Sequence, residues 1–190
     1  MTGTAPARTR TPGTWTADGP TMAARRILLP IGEAIDPFAL AGDHGVLVAE
    51  AGRILVGVGI ATVLDLAGGL ADADGLDLAV ARLAALGCDD RVPAGTTALR
   101  PVLAFGALPF DRHAPASLLV PSTLYCREAD GTEWATVVAA PDGTGIDESP
   151  AGLRDRLVAT AASHTVARSS EPTGPVGARV TPRSSDADFE

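Results

Sequence analysis

The phrase GVGIAT at residues 57–62 is the closest approach to a cofactor-binding motif, because it has two of the three glycines of GxGxxG. A dinucleotide site places such a loop between a strand and a helix, with an acidic residue about 20 positions further on. Asp77 lies near that distance, but it falls inside a predicted helix, and the strand before Gly57 is predicted to be half of a hairpin. We therefore interpret these glycines as the end of a twisted strand, with a nucleotide-binding module as an alternative.

The patterns for metal binding and nucleophilic catalysis are incomplete as well. His44, His113 and His164 have no His, Cys or carboxylate partner at ligand spacing, so we expect loop or surface residues. The sequence DADG at residues 72–75 begins like a calcium loop but lacks the later ligands, which favours a polar loop. Asp111 beside His113 predicts a loop that caps its own turn, and no G-x-S-x-G phrase supplies a hydrolase nucleophile. We assign no catalytic, cofactor-binding or metal-binding residue.

Composition and charge exclude several classes of partner. The 190 residues are 46% hydrophobic and carry a formal charge of −8, which is typical of a globular domain and disfavours nucleic acid as a partner. No apolar run reaches the ~18 residues of a membrane span, and the first residues lack the apolar core of a secretory signal. Cys88 and Cys126 are far apart in sequence, so we expect reduced thiols and a cytoplasmic protein.

All 15 basic residues are arginines. Lysine is a common general base when burial lowers its pKa, whereas arginine does not lose its proton in proteins. A mechanism that needs a neutral side-chain amine therefore cannot run on this chain alone.

The apolar pattern predicts an α+β domain. Its expected elements are a strand at 25–30, a helical turn from Asp36-Pro37, a hairpin with strands at 45–49 and 54–58, a helix at 76–86 with Gly87 as its C-cap, and a helix from Ser149-Pro150 to His164. The apolar side of the last helix is expected to consist of Leu153, Leu157 and Ala161.

Residues 100–140 predict a three-stranded antiparallel meander. Its strands are expected at 101–108, 117–127 and 133–140, and Asp130-Gly131 is a strong hairpin signal between the last two. The aromatic residues expected to lie in the core of this region are Phe105, Phe110, Tyr125 and Trp134.

The same segment resembles the amino-terminal half of isochorismate synthases, which belong to the chorismate-utilising enzymes. The resemblance is carried by FGALPFD at 105–111, by Val120-Pro121, and by the Gly-x-x-Trp hairpin phrase from Gly131 to Trp134. Each phrase is structural rather than catalytic, and the order of the phrases carries the resemblance, which extends from about residue 34 to residue 190.

The resemblance implies an incomplete half of the chorismate-utilising enzyme fold, in which an antiparallel sheet made of the hairpin and the meander packs against two helices. The complete family enzyme is a Mg²⁺-dependent isomerase that converts chorismate to isochorismate for menaquinone or siderophore biosynthesis. Its general-base Lys, general-acid Glu and magnesium-binding Glu residues lie in the carboxyl-terminal half. The resemblance therefore implies no cofactor and no catalytic residue in this chain, and the missing chorismate-binding half as its partner.

Three segments are expected along the chain. Residues 1–24 predict a disordered leader, residues 25–164 the α+β domain, and residues 165–190 a linker with the truncated start of the catalytic half. An isolated half would expose apolar strand faces and unpaired edges, so we expect marginal stability. The alternative function is a stand-alone, non-catalytic scaffold or regulatory partner of a separate chorismate-binding chain.

Overall fold

A computed structural model describes residues 22–106, 109–139 and 148–169. In this part of the chain the elements are β1 (Ala23–Leu28), α1 (Pro37–Ala41), β2 (Val46–Glu50), β3 (Arg53–Val58), β4 (Thr62–Leu66), a 3₁₀ turn (Gly69–Ala71), α2 (Ala73–Ala85), β5 (Gly87–Asp90), β6 (Ala116–Val120), β7 (Thr123–Arg127), β8 (Glu133–Val138) and α3 (Pro150–Ser169). The predicted α+β class is confirmed.

The predicted segment boundaries shift at both ends. Ala23 and Ala24, expected in the disordered leader, belong to β1, and residues 165–169, expected in the linker, continue α3. Residues 1–21 of the predicted leader, and residues 170–190 of the predicted linker and truncated start of the catalytic half, lie outside the described residues.

Six strands form one mixed sheet in the order β2-β3-β7-β8-β1-β5, while β4 pairs with β6 in a separate sheet. Neighbouring strands of the large sheet are antiparallel except for β1 and β5, which run parallel. The prediction of an antiparallel sheet is therefore wrong at this edge. Parallel strands need a long crossover, and the chain between β1 and β5 supplies it with three further strands and two α-helices.

The predicted three-stranded meander does not form. Residues 117–127 split at Pro121 into two strands, of which β6 pairs with β4 and β7 pairs with β3 and β8. Proline has no N–H to donate to a ladder, so one continuous strand through Pro121 is disfavoured. Within residues 101–106, the described part of the first predicted strand, one bridge forms, between Phe105 and Leu119.

Antiparallel pairs form at the two places where the sequence predicts hairpins. Val48 of β2 lies opposite Leu55 of β3, and Tyr125 of β7 lies opposite Ala135 of β8. The turn between β7 and β8 contains Gly131 with a φ of +87°, a conformation that favours glycine.

Capping side chains set the starts of α1 and α3, as predicted. The Asp36 carboxylate accepts from the Phe38 N–H at 2.9 Å, and the Ser149 hydroxyl accepts from the Gly152 N–H at 3.1 Å. Helix α3 continues beyond its predicted end at His164.

Helix α2 differs from its prediction at both ends. It begins at Ala73 because the Asp72 carboxylate caps it, accepting from the Gly75 N–H at 3.0 Å. The predicted C-cap, Gly87, is instead the first residue of β5, and Leu86 occupies the C-cap position.

Both faces of the six-stranded sheet are covered. Helices α1 and α3 pack on one face, where the predicted residues Leu153, Leu157 and Ala161 are buried. The segment 92–105, α2 and the β4–β6 pair cover the other face. Most apolar residues of the six described strands are therefore covered, although Leu28 of β1 and Val48 of β2 remain 40% and 38% exposed. No described helix is both long and apolar enough to cross a membrane.

Candidate functional site

The structure places the GVGIAT phrase in a sheet rather than in a nucleotide loop. Gly57 lies in β3 between β2 and β7, and the element that follows Gly59 is β4, not a helix. A Cβ on Gly57 would lie 3.2 Å from Pro121 and 3.3 Å from Phe105, so the glycine permits close packing across the sheet. The nucleotide-binding alternative is therefore wrong, and Asp77 is an exposed residue of α2.

The three histidines do not converge. His44 and His113 are exposed, and His164 on α3 places its Nδ1 2.8 Å from the Ala39 carbonyl oxygen of α1. The Asp111 carboxylate accepts from the His113 backbone N–H at 2.9 Å, which confirms the predicted self-capped turn.

Magnesium has no ligand set in the described ranges. Across residues 22–106, 109–139 and 148–169, no three His, Cys, Asp or Glu residues could together hold a metal ion. Asp72, at the start of the calcium-like phrase, is used as the cap of α2. Both cysteines are free thiols, with Cys126 buried.

The ionisable groups that do converge flank the β7–β8 hairpin. On the face covered by the segment 92–105, the Glu128 carboxylate accepts from the Trp134 Nε1–H at 3.0 Å and from the Arg53 Nε–H at 2.6 Å. Burial opposes the charge of Glu128, but hydrogen bonds from Thr97, Trp134 and Arg53 outweigh it and hold its pKa below the usual value.

The Cys126 thiol belongs to the same cluster. Its Sγ lies 3.6 Å from Glu128 Oε1 and donates to it. Burial raises the pKa of Cys126 first, and the negative charge of Glu128 raises it further. The thiol therefore stays protonated and is a packing group rather than a nucleophile.

The opposite face of the hairpin has a second carboxylate network. The Tyr125 hydroxyl donates to Glu133 at 2.5 Å, and Arg154 of α3 donates to the same carboxylate at 2.6 Å. Arg154 also donates to the backbone carbonyls of Pro30 and Glu33, at 2.8 and 2.5 Å. Burial, followed by the hydrogen bond to Glu133, raises the pKa of Tyr125.

Arg26 connects the parallel edge of the sheet to the same hairpin. Its guanidinium pairs with Asp90 of β5 and donates to the Leu99 carbonyl at 2.9 Å. Its Cζ lies 5.3 Å from the centroid of the Trp134 ring, within the range of a cation–π contact. Asp90 consequently has a lowered pKa, for which the hydrogen bond from Arg26 is the largest cause.

The aromatic residues divide between core and surface. Tyr125 and Trp134 are fully buried and Phe105 packs against Trp134's cluster, as predicted. Phe110 is fully exposed, so its predicted core position is wrong. It lies in the loop before β6, outside any strand that could turn it inward.

These networks join elements that are distant in sequence, and the carboxylates of Glu128 and Glu133 are engaged by Arg, Trp and Tyr donors. Sequence reasoning missed them because their partners are far apart, as in Arg53 and Glu128, which are separated by 75 positions. The sequence offers only a weak signal for these networks, namely the charged residues at the ends of predicted strands. Comparison with known proteins identifies no relative, since no protein-family model, curated protein or solved structure matches this chain.

Proposed function

We propose that the chain is the amino-terminal, non-catalytic part of an isochorismate-synthase-like enzyme and packs against a chorismate-binding half that performs the isomerisation. The observation that carries the proposal is the convergence of the phrases that resemble this family. Phe105 and Pro121 both approach Gly57, and Phe105 shares an apolar cluster with Trp134. Residues from phrases that are far apart in sequence therefore pack together in the interior.

Local packing also accounts for residue types within these phrases. A Cβ on Gly106 would lie 2.7 Å from the Leu118 side chain and 2.9 Å from the Ser117 carbonyl oxygen, closer than packed atoms tolerate. Val120 and Trp134 are fully buried. Residues of these phrases therefore lie in packed or buried positions, which supports a shared fold rather than a shared catalytic group.

The proposal assigns no step of the isomerisation to the described side chains. The chain has no lysine to act as a neutral amine base, and its described carboxylates at the hairpin are engaged by Arg, Trp and Tyr donors. Magnesium also has no ligand set there. The proposal accordingly assigns base, acid and metal to the partner half.

The test is reconstitution of activity with separately expressed chorismate-binding half of an isochorismate synthase. Chorismate and Mg²⁺ are added to the full chain alone, to the half alone and to their mixture, and isochorismate is followed by coupled detection. We expect turnover to rise in the mixture and to be absent from the chain alone. An acidic globular protein of similar size replaces the chain as the control.

Two results would overturn the proposal. Turnover by the chain alone would mean that its own acids and bases perform chemistry. Failure of the mixture to gain activity, with both components folded, would mean that this chain is not the partner of such a half.

The coverage of both sheet faces favours a second candidate, a stand-alone scaffold or regulatory partner of a separate chorismate-binding chain. Such a protein needs no second half to bury its core. Sedimentation and thermal unfolding of the chain alone separate the two candidates. A cooperatively melting monomer favours the stand-alone protein, whereas aggregation that the chorismate-binding half prevents favours the amino-terminal part.

A further inference from the structure

A cleft of ≈ 530 Å³ opens between the loop after β1 and the first half of α3. Residues 30–33 form the loop wall. The helix wall consists of residues at spacings of three and four, which share one helix face: Ala151, Arg154, Asp155, Val158 and Ala159. We call this feature the α3 cleft.

Arg154 holds the two walls together but offers no free charge. Its side chain is 8% exposed, and its guanidinium is engaged by Glu133 and by the carbonyls of Pro30 and Glu33. Gly32 packs directly against the Arg154 Nε atom, since a Cβ on Gly32 would lie 2.7 Å from it. The cleft is therefore preformed, and its one arginine is already neutralised.

The open side of the cleft is apolar and acidic. Ile31 is fully exposed at its mouth, and Val158 is half-buried in its wall. The carboxylates of Glu33 and Asp155 are exposed, and neither forms an ion pair with a described residue. An apolar surface with two unpaired negative charges complements a ligand that is apolar in its centre and positive at its flanks.

We propose that the α3 cleft docks a partner protein through a short segment in which one apolar side chain is flanked by Arg or Lys residues. The apolar side chain covers Ile31 and Val158, and the flanking cations pair with Glu33 and Asp155. An acidic segment would meet two carboxylates and an arginine that is already paired. This inference does not depend on the function proposed above.

The test titrates the full chain with three blocked pentapeptides, ARLRA, ARSRA and AELEA, observed by amide NMR. We expect ARLRA to shift the amide signals of residues 31–33 and of the helix wall, and to bind about tenfold more tightly than AELEA. ARSRA, which keeps the charge but lacks the apolar side chain, should bind more weakly than ARLRA.

Paired variants separate a specific site from general attraction to an acidic protein. The double variant Glu33→Gln with Asp155→Asn should weaken ARLRA binding about tenfold. The matched control, Glu50→Gln with Asp77→Asn, removes the same charge from β2 and α2 and should leave binding unchanged.

Three outcomes overturn the proposal. These are no shift at the cleft, equal weakening by both double variants, or equal binding of ARLRA and AELEA. Arginine amide serves as a further probe, because binding as tight as that of ARLRA at the same residues would define a site for small cations instead of a peptide.

Discussion

The two faces of the β7–β8 hairpin each bury a carboxylate, an arginine and an aromatic donor, but they distribute burial differently. On one face the carboxylate is the more buried partner, since the Glu128 side chain is 8% exposed and Arg53 is 29% exposed. On the other face both charges are withdrawn from water, with Glu133 at 13% and Arg154 at 8%. The first network has solvent access on its cationic side, and the second has almost none.

This difference decides what happens when a partner is removed. Arg53 can recover hydration if Glu128 is lost, because part of its side chain already reaches water. Arg154 cannot, and an uncompensated buried charge is far more costly than an exposed one. The two carboxylates each pair with an arginine, yet removing Glu133 should destabilise the protein more than removing Glu128.

The largest effect is expected from Glu133→Gln. The substitution keeps the size of the side chain but leaves Arg154 buried without a negative partner, which should lower the free energy of unfolding by about 3–5 kcal/mol. The measurement is urea unfolding followed by tryptophan fluorescence in a Trp15→Phe background, in which Trp134 is the one remaining tryptophan.

Glu148→Gln is the matched control for that variant. It removes the partner of Arg156, two positions along the same helix, where the pair is exposed to water. Exposed pairs contribute little, so its loss should be less than about 1 kcal/mol. Equal losses for the two variants would contradict the difference in burial on which the comparison rests.

Trp134→Phe is expected to have the next largest effect. It removes the N–H that donates to Glu128 and leaves a space where the larger ring packed, at a cost of about 2–3 kcal/mol. Adding Glu128→Gln to this variant tests the coupling, since an additive pair of losses would show that the indole and the carboxylate do not act together.

Glu128→Gln alone should show a pH-dependent effect of about 1–2 kcal/mol near pH 7. The pKa of Glu128 is lowered in the folded state, so its ionisation stabilises the fold above the unfolded value of about 4.3. That contribution is lost as the pH falls through the lowered pKa. The gap between the wild-type protein and the variant should therefore narrow in acid, and a gap that widens there would contradict the sign.

The elements that sequence reasoning located correctly are those with local chemical causes. Asp36 and Ser149 cap helices through side-chain acceptors within three residues, and the Asp130-Gly131 turn needs a positive φ at one position. Such signals are complete within a short window of sequence, so they can be recognised before any tertiary contact is known.

The elements that were missed depend on distant partners. Strands β4 and β5 are stabilised by pairing with β6 and β1, and the parallel register of β5 is tied to Arg26, 64 positions away from Asp90. The candidate cleft was missed for the same reason, since Pro30 meets Arg154 across 124 positions. No local periodicity encodes these contacts, and the break at Pro121 was hidden inside an apolar run.

The smallest effect is expected from Tyr125→Phe, which removes the hydroxyl that donates to Glu133 while Arg154 still balances the charge. The loss should be about 1 kcal/mol near pH 7, compared with almost none for Ser117→Ala, whose hydrogen bond to Asp65 is exposed.

Alkaline titration gives a second test of the Tyr125→Phe variant. Burial raises the pKa of Tyr125, so an unfolded chain releases the phenol proton near pH ~10 while the folded chain retains it. Stability should consequently fall above that pH in the wild-type protein, and this decline should be smaller in Tyr125→Phe. Because the chain has one tyrosine, tyrosinate absorbance reports on this residue directly. Ionisation at the ordinary pH in the folded protein would mean that the Glu133 network is open to water, and the contrast between the two faces would then disappear.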